Sequence, residues 1–314
     1  MKLALNLSAA TLAVAALALS GSAANAQTAF TLDATGTSLI SFSVATPNIL
    51  TTVGVTGAIL DAIDFNAQTG VLYGYSSTVD QVYTVTTAGV ATPVTQTGTV
   101  ATGTRNLGID FNPTTGATVM GGPGISSTFR IVNENDQNLT FNTISGAYAT
   151  QTPITFATTS PQNGLNPAAA ENAYTNNLAG ATSTQQYVIE SGTNALYTLN
   201  NAGGILTPVG AGAGLGFNVT AGAVGFDIFT TAGGVNTAYA VLQNSGSSTL
   251  SSSLYEIDLS SGAATITSTI GGGTLSGLRG LAITPVVVPE AGTLPLVLGA
   301  FAALGAGVVV RRRK

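Results

Sequence analysis

A four-residue word returns along this chain at a fixed distance. Ile63-Asp64-Phe65-Asn66, followed by Thr69-Gly70, recurs as Ile109-Asp110-Phe111-Asn112, followed by Thr115-Gly116, an offset of 46 residues. Phe226-Asp227-Ile228 is a third version, Gly280-Leu281-Ala282-Ile283 a fourth without the acid, and residues 170–175 fill the slot between the second and third. A repeat of this length means that each unit is one supersecondary piece, burying its apolar face against its neighbours rather than alone. Behind each word comes a Tyr-containing strand, then one such as Val82-Tyr83-Thr84-Val85, Ala195-Leu196-Tyr197-Thr198-Leu199 or Leu254-Tyr255-Glu256-Ile257-Asp258. A turn, Thr87-Ala88-Gly89 or Ser260-Ser261-Gly262, then leads to a Thr/Val-rich strand. Four short strands in about 40–60 residues are the mark of a propeller blade.

The ends of the repeat region sharpen this reading. Residues 275–284 look like an innermost strand with nothing after it, and residues 29–54 like three outer strands with no innermost strand before them. Joined, they complete a blade and cover edges that would otherwise template aggregation. With blades at 59–98, 104–157, 165–212 and 220–273, the expectation is an all-β propeller of five blades, one of them composite. A β-sandwich and a β-solenoid are the alternatives.

Composition agrees. The chain is rich in Thr, Val and Ala with 39 glycines, which suits pleated strands and tight turns. Only 7% of its residues are charged, and there is no Cys and no His. Disulfides, thiol nucleophiles and the commonest general base are therefore excluded, along with most zinc sites. Between residues 27 and 288 stand twelve acidic residues against three basic ones, Arg105, Arg130 and Arg279, leaving that region at −9. Such a surface repels phosphate backbones, so nucleic acid is not an expected partner.

Long apolar runs and clustered bases occur only at the two ends. Residues 1–26 read as a secretory signal: Lys2, a short apolar core around Leu12–Leu19, and Ala24-Asn25-Ala26 as a small-x-small site with cleavage before Gln27. A transmembrane anchor is the competing reading. At the other end, residues 293–310 form an uncharged run of 18, roughly 27 Å as a helix and just enough for a hydrocarbon core of about 30 Å. Arg311, Arg312, Arg313 and Lys314 follow at once as a membrane stop, placing the body of the protein outside.

Val288-Pro289-Glu290, the apolar span and the basic end together resemble the PEP-CTERM sorting signal. Ala291 stands where that signal usually has a second Pro. The resemblance implies an exosortase, a membrane-embedded protease that cuts near the Pro-Glu motif. The chain would thus be sequentially a client of the Sec translocon, signal peptidase and exosortase, anchored transiently in the inner membrane before reaching the surface. A plain tail anchor is the alternative. The region 27–287 also resembles domain-of-unknown-function family 4394, through Leu107-Gly108-Ile109-Asp110-Phe111-Asn112-Pro113, Phe129-Arg130-Ile131-Val132, Ala173-Tyr174-Thr175-Asn176-Asn177 and Gly225-Phe226-Asp227-Ile228. That family brings no known activity.

Asp64, Asp110 and Asp227 hold equivalent repeat positions. Two readings stand side by side: a carboxylate ring near the axis, able to hold Ca²⁺ through oxygen ligands, or three Asx caps in the turns after their strands. Residues 133–138, Asn-Glu-Asn-Asp-Gln-Asn, lack calcium-loop spacing and read as a solvated hairpin tip. Arg130, within a strand, is expected to pair with a neighbouring acid. No catalytic residue and no cofactor is expected. The functional expectation is a non-enzymatic protein of the cell surface or biofilm matrix that meets exopolysaccharide. The alternative is a calcium-dependent propeller enzyme of the lactonase or lyase type.

Overall fold

The computed structural model describes residues 27–117, 125–212 and 214–286. The expected signal segment up to Ala24 and Ala26, the motif Val288-Pro289-Glu290, the membrane helix and Arg311, Arg312, Arg313 and Lys314 lie outside the described residues; Gln27 lies just inside them.

The chain opens with three strands, β1 (Thr28–Leu32), β2 (Ser38–Ser43) and β3 (Thr46–Gly54). Blade I follows as β4 (Ala62–Asn66), β5 (Val71–Ser76), β6 (Gln81–Val85) and β7 (Ala91–Pro93). Blade II begins with β8 (Leu107–Phe111). It is interrupted by a small hairpin, β9 (Gly116–Ala117) and β10 (Ile125–Ser126), and resumes as β11 (Thr128–Asn133), β12 (Asn138–Asn142) and β13 (Ala147–Thr150). After β14 (Thr155–Phe156), blade III is β15 (Ala169–Tyr174), β16 (Gln186–Glu190), β17 (Ala195–Asn200) and β18 (Ile205–Pro208). Blade IV is β19 (Val219–Thr230), β20 (Asn236–Asn244), β21 (Ser252–Ile257) and β22 (Ala264–Thr269), and β23 (Arg279–Ile283) ends the series.

Within each blade, consecutive strands pair antiparallel. Blade V is composite, in the order β23-β1-β2-β3, with Ala29 opposite Ile283 and Phe30 opposite Ala282. The inner strands β4, β8, β15, β19 and β23 neighbour one another in that cyclic order, β23 returning to β4. This is the five-bladed propeller that the repeat predicts.

Each inner strand is buried almost throughout, so its alternating side chains pack against two different blades. Five hydrophobic clusters result, one between each pair of neighbours. Between blades I and II the cluster carries a run of aromatic contacts, from Tyr73 to Phe111, Phe129, Phe141 and Tyr148, with successive ring centroids 4.8–5.3 Å apart.

The ring is closed by backbone pairing and by packing. The Thr31 hydroxyl donates to the carbonyl of Gly280 at 2.8 Å, and Leu281 and Ile283 lie in the cluster between blades IV and V. Leu281 is 2% exposed. Leu281→Ala is expected to destabilise the protein by about 2–5 kcal/mol, the usual cost of a core truncation. Ile266→Ala, at a position 55% exposed on blade IV, is expected to stay within about 0.5 kcal/mol. Chemical denaturation of both variants checks this, and equal, small effects would contradict closure through β23.

Candidate axial carboxylate site

Each inner strand turns one side chain at its centre toward the next blade. In β4, β8 and β19 that side chain is Asp64, Asp110 and Asp227. One oxygen of each Asp64 and Asp227 carboxylate accepts a backbone N–H from the next inner strand in the structure: Phe111 to Asp64 at 2.8 Å and Ile283 to Asp227 at 2.6 Å. Tyr174 of β15 holds the equivalent place beside Asp110, where its N–H opposes the rise in that carboxyl's pKa. Each donor follows the residue that occupies the matching slot in its own strand, so Ala173 of β15 and Ala282 of β23 are the two slots without an acid.

The three carboxylates converge. One oxygen from each of Asp64, Asp110 and Asp227 lies within 4.8 Å of the others, all three residues being buried. They do not cap the turns after their strands. That role falls to Asn66, whose Oδ1 accepts from Gln68 N–H at 3.1 Å, and to Asn112, which accepts from Thr114 N–H at 3.0 Å.

Glu171 is a fourth buried acid in this region, missed by the repeat because blade III has no Ile-Asp-Phe word. Its carboxylate lies against Gly108 of β8, and its Cα would stand 2.6 Å from a Cβ placed on that glycine. Only a glycine at 108 admits it. Asn172 beside it is fully buried, and among the described residues neither its amide nitrogen nor its amide oxygen has a hydrogen-bond partner; the same is true of Oδ1 of Asp110.

Burial, with few compensating charges, pushes these acids toward the neutral form. Asp64 and Asp110 are held well above the usual carboxylate range, first by loss of water and then by neighbouring charge, that of Asp227 on Asp64 and those of Asp64 and Asp227 on Asp110. Burial also raises Glu171 well above it and lifts Asp227 to about 7. A narrow pocket of about 10 Å³, room for one water-sized particle, is lined by Asp64, Asp227, Asn177, Thr230, Ile283 and Pro285.

The remaining candidates fall elsewhere. Arg130 pairs with no acid: among the described residues no carboxylate oxygen lies within 4.0 Å of it. Its guanidinium instead donates to the Tyr174 hydroxyl at 2.9 Å, the Asn201 carbonyl at 2.9 Å and Asn138 Oδ1, bolting blade II to blade III. An acid there would have cost desolvation twice; neutral acceptors satisfy the buried fork. Residues 133–138 form the hairpin tip between β11 and β12, with Asn135 exposed, but the tip is anchored at its base. Asn133 and Asn138 are buried, Asn133 Oδ1 accepts from the N–H groups of Asn135 and Gln137, and the Asn135 amide donates to the carbonyl of Thr102 at 2.9 Å. Arg105 and Arg279 flank Asp61 at the start of blade I, Arg279 at 3.9 Å.

The sequence profile described as Domain of unknown function (DUF4394) matches residues 8–282. The chain belongs to that family. No curated protein matches it. Among solved structures it is similar to the nidogen/laminin complex, at 11% identity and a TM-score of 0.42 over 81% of this chain and 83% of that one. It is also similar to a protein of unknown function from Bacteroides thetaiotaomicron, at 11% and 0.47 over 85% and 69%. A third is virginiamycin B lyase from Staphylococcus aureus, at 12% and 0.37 over 78% and 71%. Membership in the DUF4394 family assigns no chemistry to the axial acids.

These acids fix the sign of a pH dependence. A carboxyl whose folded pKa is raised holds a proton that the unfolded chain releases, so its stabilising effect is complete below about pH 4 and is lost as pH rises through the folded value. Asp258, lowered to about 2 by the hydroxyl and N–H of Ser260, acts only below that window. In EDTA the thermal midpoint is therefore expected to fall between pH 5 and pH 8, with a flatter slope in Asp227→Asn, whose amide still accepts from Ile283. Scanning calorimetry checks this; a midpoint that rises over that interval would contradict it.

Proposed function

We propose that the chain is an exported, non-catalytic protein of the bacterial cell surface or extracellular matrix, whose propeller meets exopolysaccharide. The observation that carries this reading is where the two ends of the ring stand. Thr284 N–H donates to the carbonyl of Thr28 at 2.9 Å, so the chain enters and leaves the propeller side by side on blade V. Cleavage before Gln27 and near Val288-Pro289-Glu290 would then remove both ends and leave every blade intact. The signal-like segment, the PEP-CTERM-like tail and the confinement of basic clusters to the ends support the same route, through Sec translocon, signal peptidase and exosortase.

A non-catalytic role is supported by the residue types. The chain has no His and no Cys, and the pocket beside the axial acids, at about 10 Å³, is far too small for a sugar ring. A groove of about 620 Å³ on blade IV, lined by Asn236, Thr237, Glu256, Asp258 and Ser260, offers the hydroxyl, amide and carboxylate groups that suit a hydrated glycan.

Deleting residues 288–314 is expected to change where the protein accumulates, and the mature N-terminus is expected at Gln27. Cell fractionation with N-terminal sequencing measures both. A cytosolic polypeptide retaining Met1 and Lys314 would overturn the reading. A glycan array tests the polysaccharide partner separately.

A further inference from the structure

We propose that the propeller axis holds one divalent hard cation of the calcium type, bound by carboxylate oxygens of Asp64, Asp110 and Asp227. The proposal goes beyond the surface role above and does not depend on it. Three carboxylates from three different blades meet at one point, with one oxygen of each within 4.8 Å of the others. Oxygens sharing a calcium ion at about 2.3–2.6 Å stand up to roughly 5 Å apart, so the three carboxylates are close enough to converge on one such ion.

The second observation is polar capacity left over in the same place. Oδ1 of Asp110 has no partner, although Asp110 is only 1% exposed. From β8, Gly108 and Asp110 face blade III, where Glu171 lies against Gly108; from β15, Asn172 and Tyr174 lie on the side facing blade II, since the Tyr174 hydroxyl meets Arg130 of that blade. The Asn172 amide, 0% exposed with both atoms unpartnered among the described residues, thus stands at the same junction of blades II and III as Asp110. The corresponding slots in the other four inner strands hold Ile63, Ile109, Phe226 and Leu281. A buried amide left without a partner is destabilising, and a ligand or a ligand's water shell removes that penalty.

The donor chemistry selects the class of ion. Every available ligand is a carboxylate or amide oxygen, and the chain has neither His nor Cys to hold a softer metal. The ligands are fixed to strand backbones by the N–H groups of Phe111 and Ile283. Such a site tolerates the irregular geometry of calcium better than the strict octahedron of magnesium. The pocket beside Asp64 and Asp227 accommodates one small particle. A bound ion would tie blades I, II and IV together at their innermost point.

The test is calorimetric titration of CaCl2 into the protein purified from its own cells after EDTA treatment, with thermal unfolding alongside. The expected result is one calcium per chain, a higher midpoint with calcium than with equal MgCl2, and affinity at least about tenfold weaker in Asp110→Asn and Asp227→Asn. Asp33→Asn, in the turn between β1 and β2, is expected to take up calcium as the parent does. Circular dichroism establishes that the variants are folded; should one fail to fold, the parent titration decides. No uptake of calcium with an unshifted midpoint overturns the proposal, as does undiminished uptake in both folded variants or stronger stabilisation by magnesium.

Discussion

Everything at the centre of this molecule follows from how closely five inner strands approach one another. Two residues before each central slot stand Ala62, Gly108, Glu171, Gly225 and Gly280. A Cβ on Gly225 would run into the carbonyl of Gly280, and a Cβ on Gly280, whose φ is 60°, would touch Ile63 and Ala62 at 3.4–3.6 Å. The strands can lie this near only because four of the five slots carry no side chain beyond a methyl. The next layer inherits the spacing, and its three aspartates are brought to one point without any dedicated loop. The carboxylate cluster is thus a consequence of ring geometry.

That geometry also explains why the acids survive burial. Isolated carboxylates in an apolar interior are strongly disfavoured. Here Asp64 and Asp227 each accept an N–H from the strand beside them, from Phe111 and Ile283. These bonds join one blade to the next, so the groups that make the axis electrostatically costly also stitch it together. The remaining imbalance is negative charge. Arg130, the nearest buried cation to Asp110 by strand register, is directed away to Tyr174, Asn138 and Asn201.

Much of the fold was legible because the repeat unit and the blade are the same object. The offset of 46 residues marks two inner strands directly, and the lone strand at 279–283 with three strands at 28–54 implies the composite blade. The equivalence of Asp64, Asp110 and Asp227 was readable too, although their hydrogen-bond partners were not. An Asx turn is a local event, whereas the observed donors lie 47 and 56 residues away, and only the register between blades brings them within reach. The same limit hid the neutral partners of Arg130 and the burial of Asn133. Glu171 and Asn172 escaped because blade III keeps the strand while abandoning the word that announces it.

That abandonment is informative in itself. A ring that served only as scaffold would repeat on all five strands, as the small residues and apolar slots do on four. Blade III breaks the pattern at three consecutive positions: Glu171 replaces a small residue, Asn172 an apolar one, and Ala173 an acid. The changes are coupled. Removing the acid at 173 relieves repulsion with Asp110 and Asp227, while Glu171 returns a carboxylate one layer along the axis, in space that Gly108 leaves open. Local rules are broken most readily where function compensates for the strain. Here the breach puts an unpaired amide and an additional acid on the strand next to Asp110, which makes the junction of blades II and III, rather than the ring at large, the chemically distinctive part of this propeller.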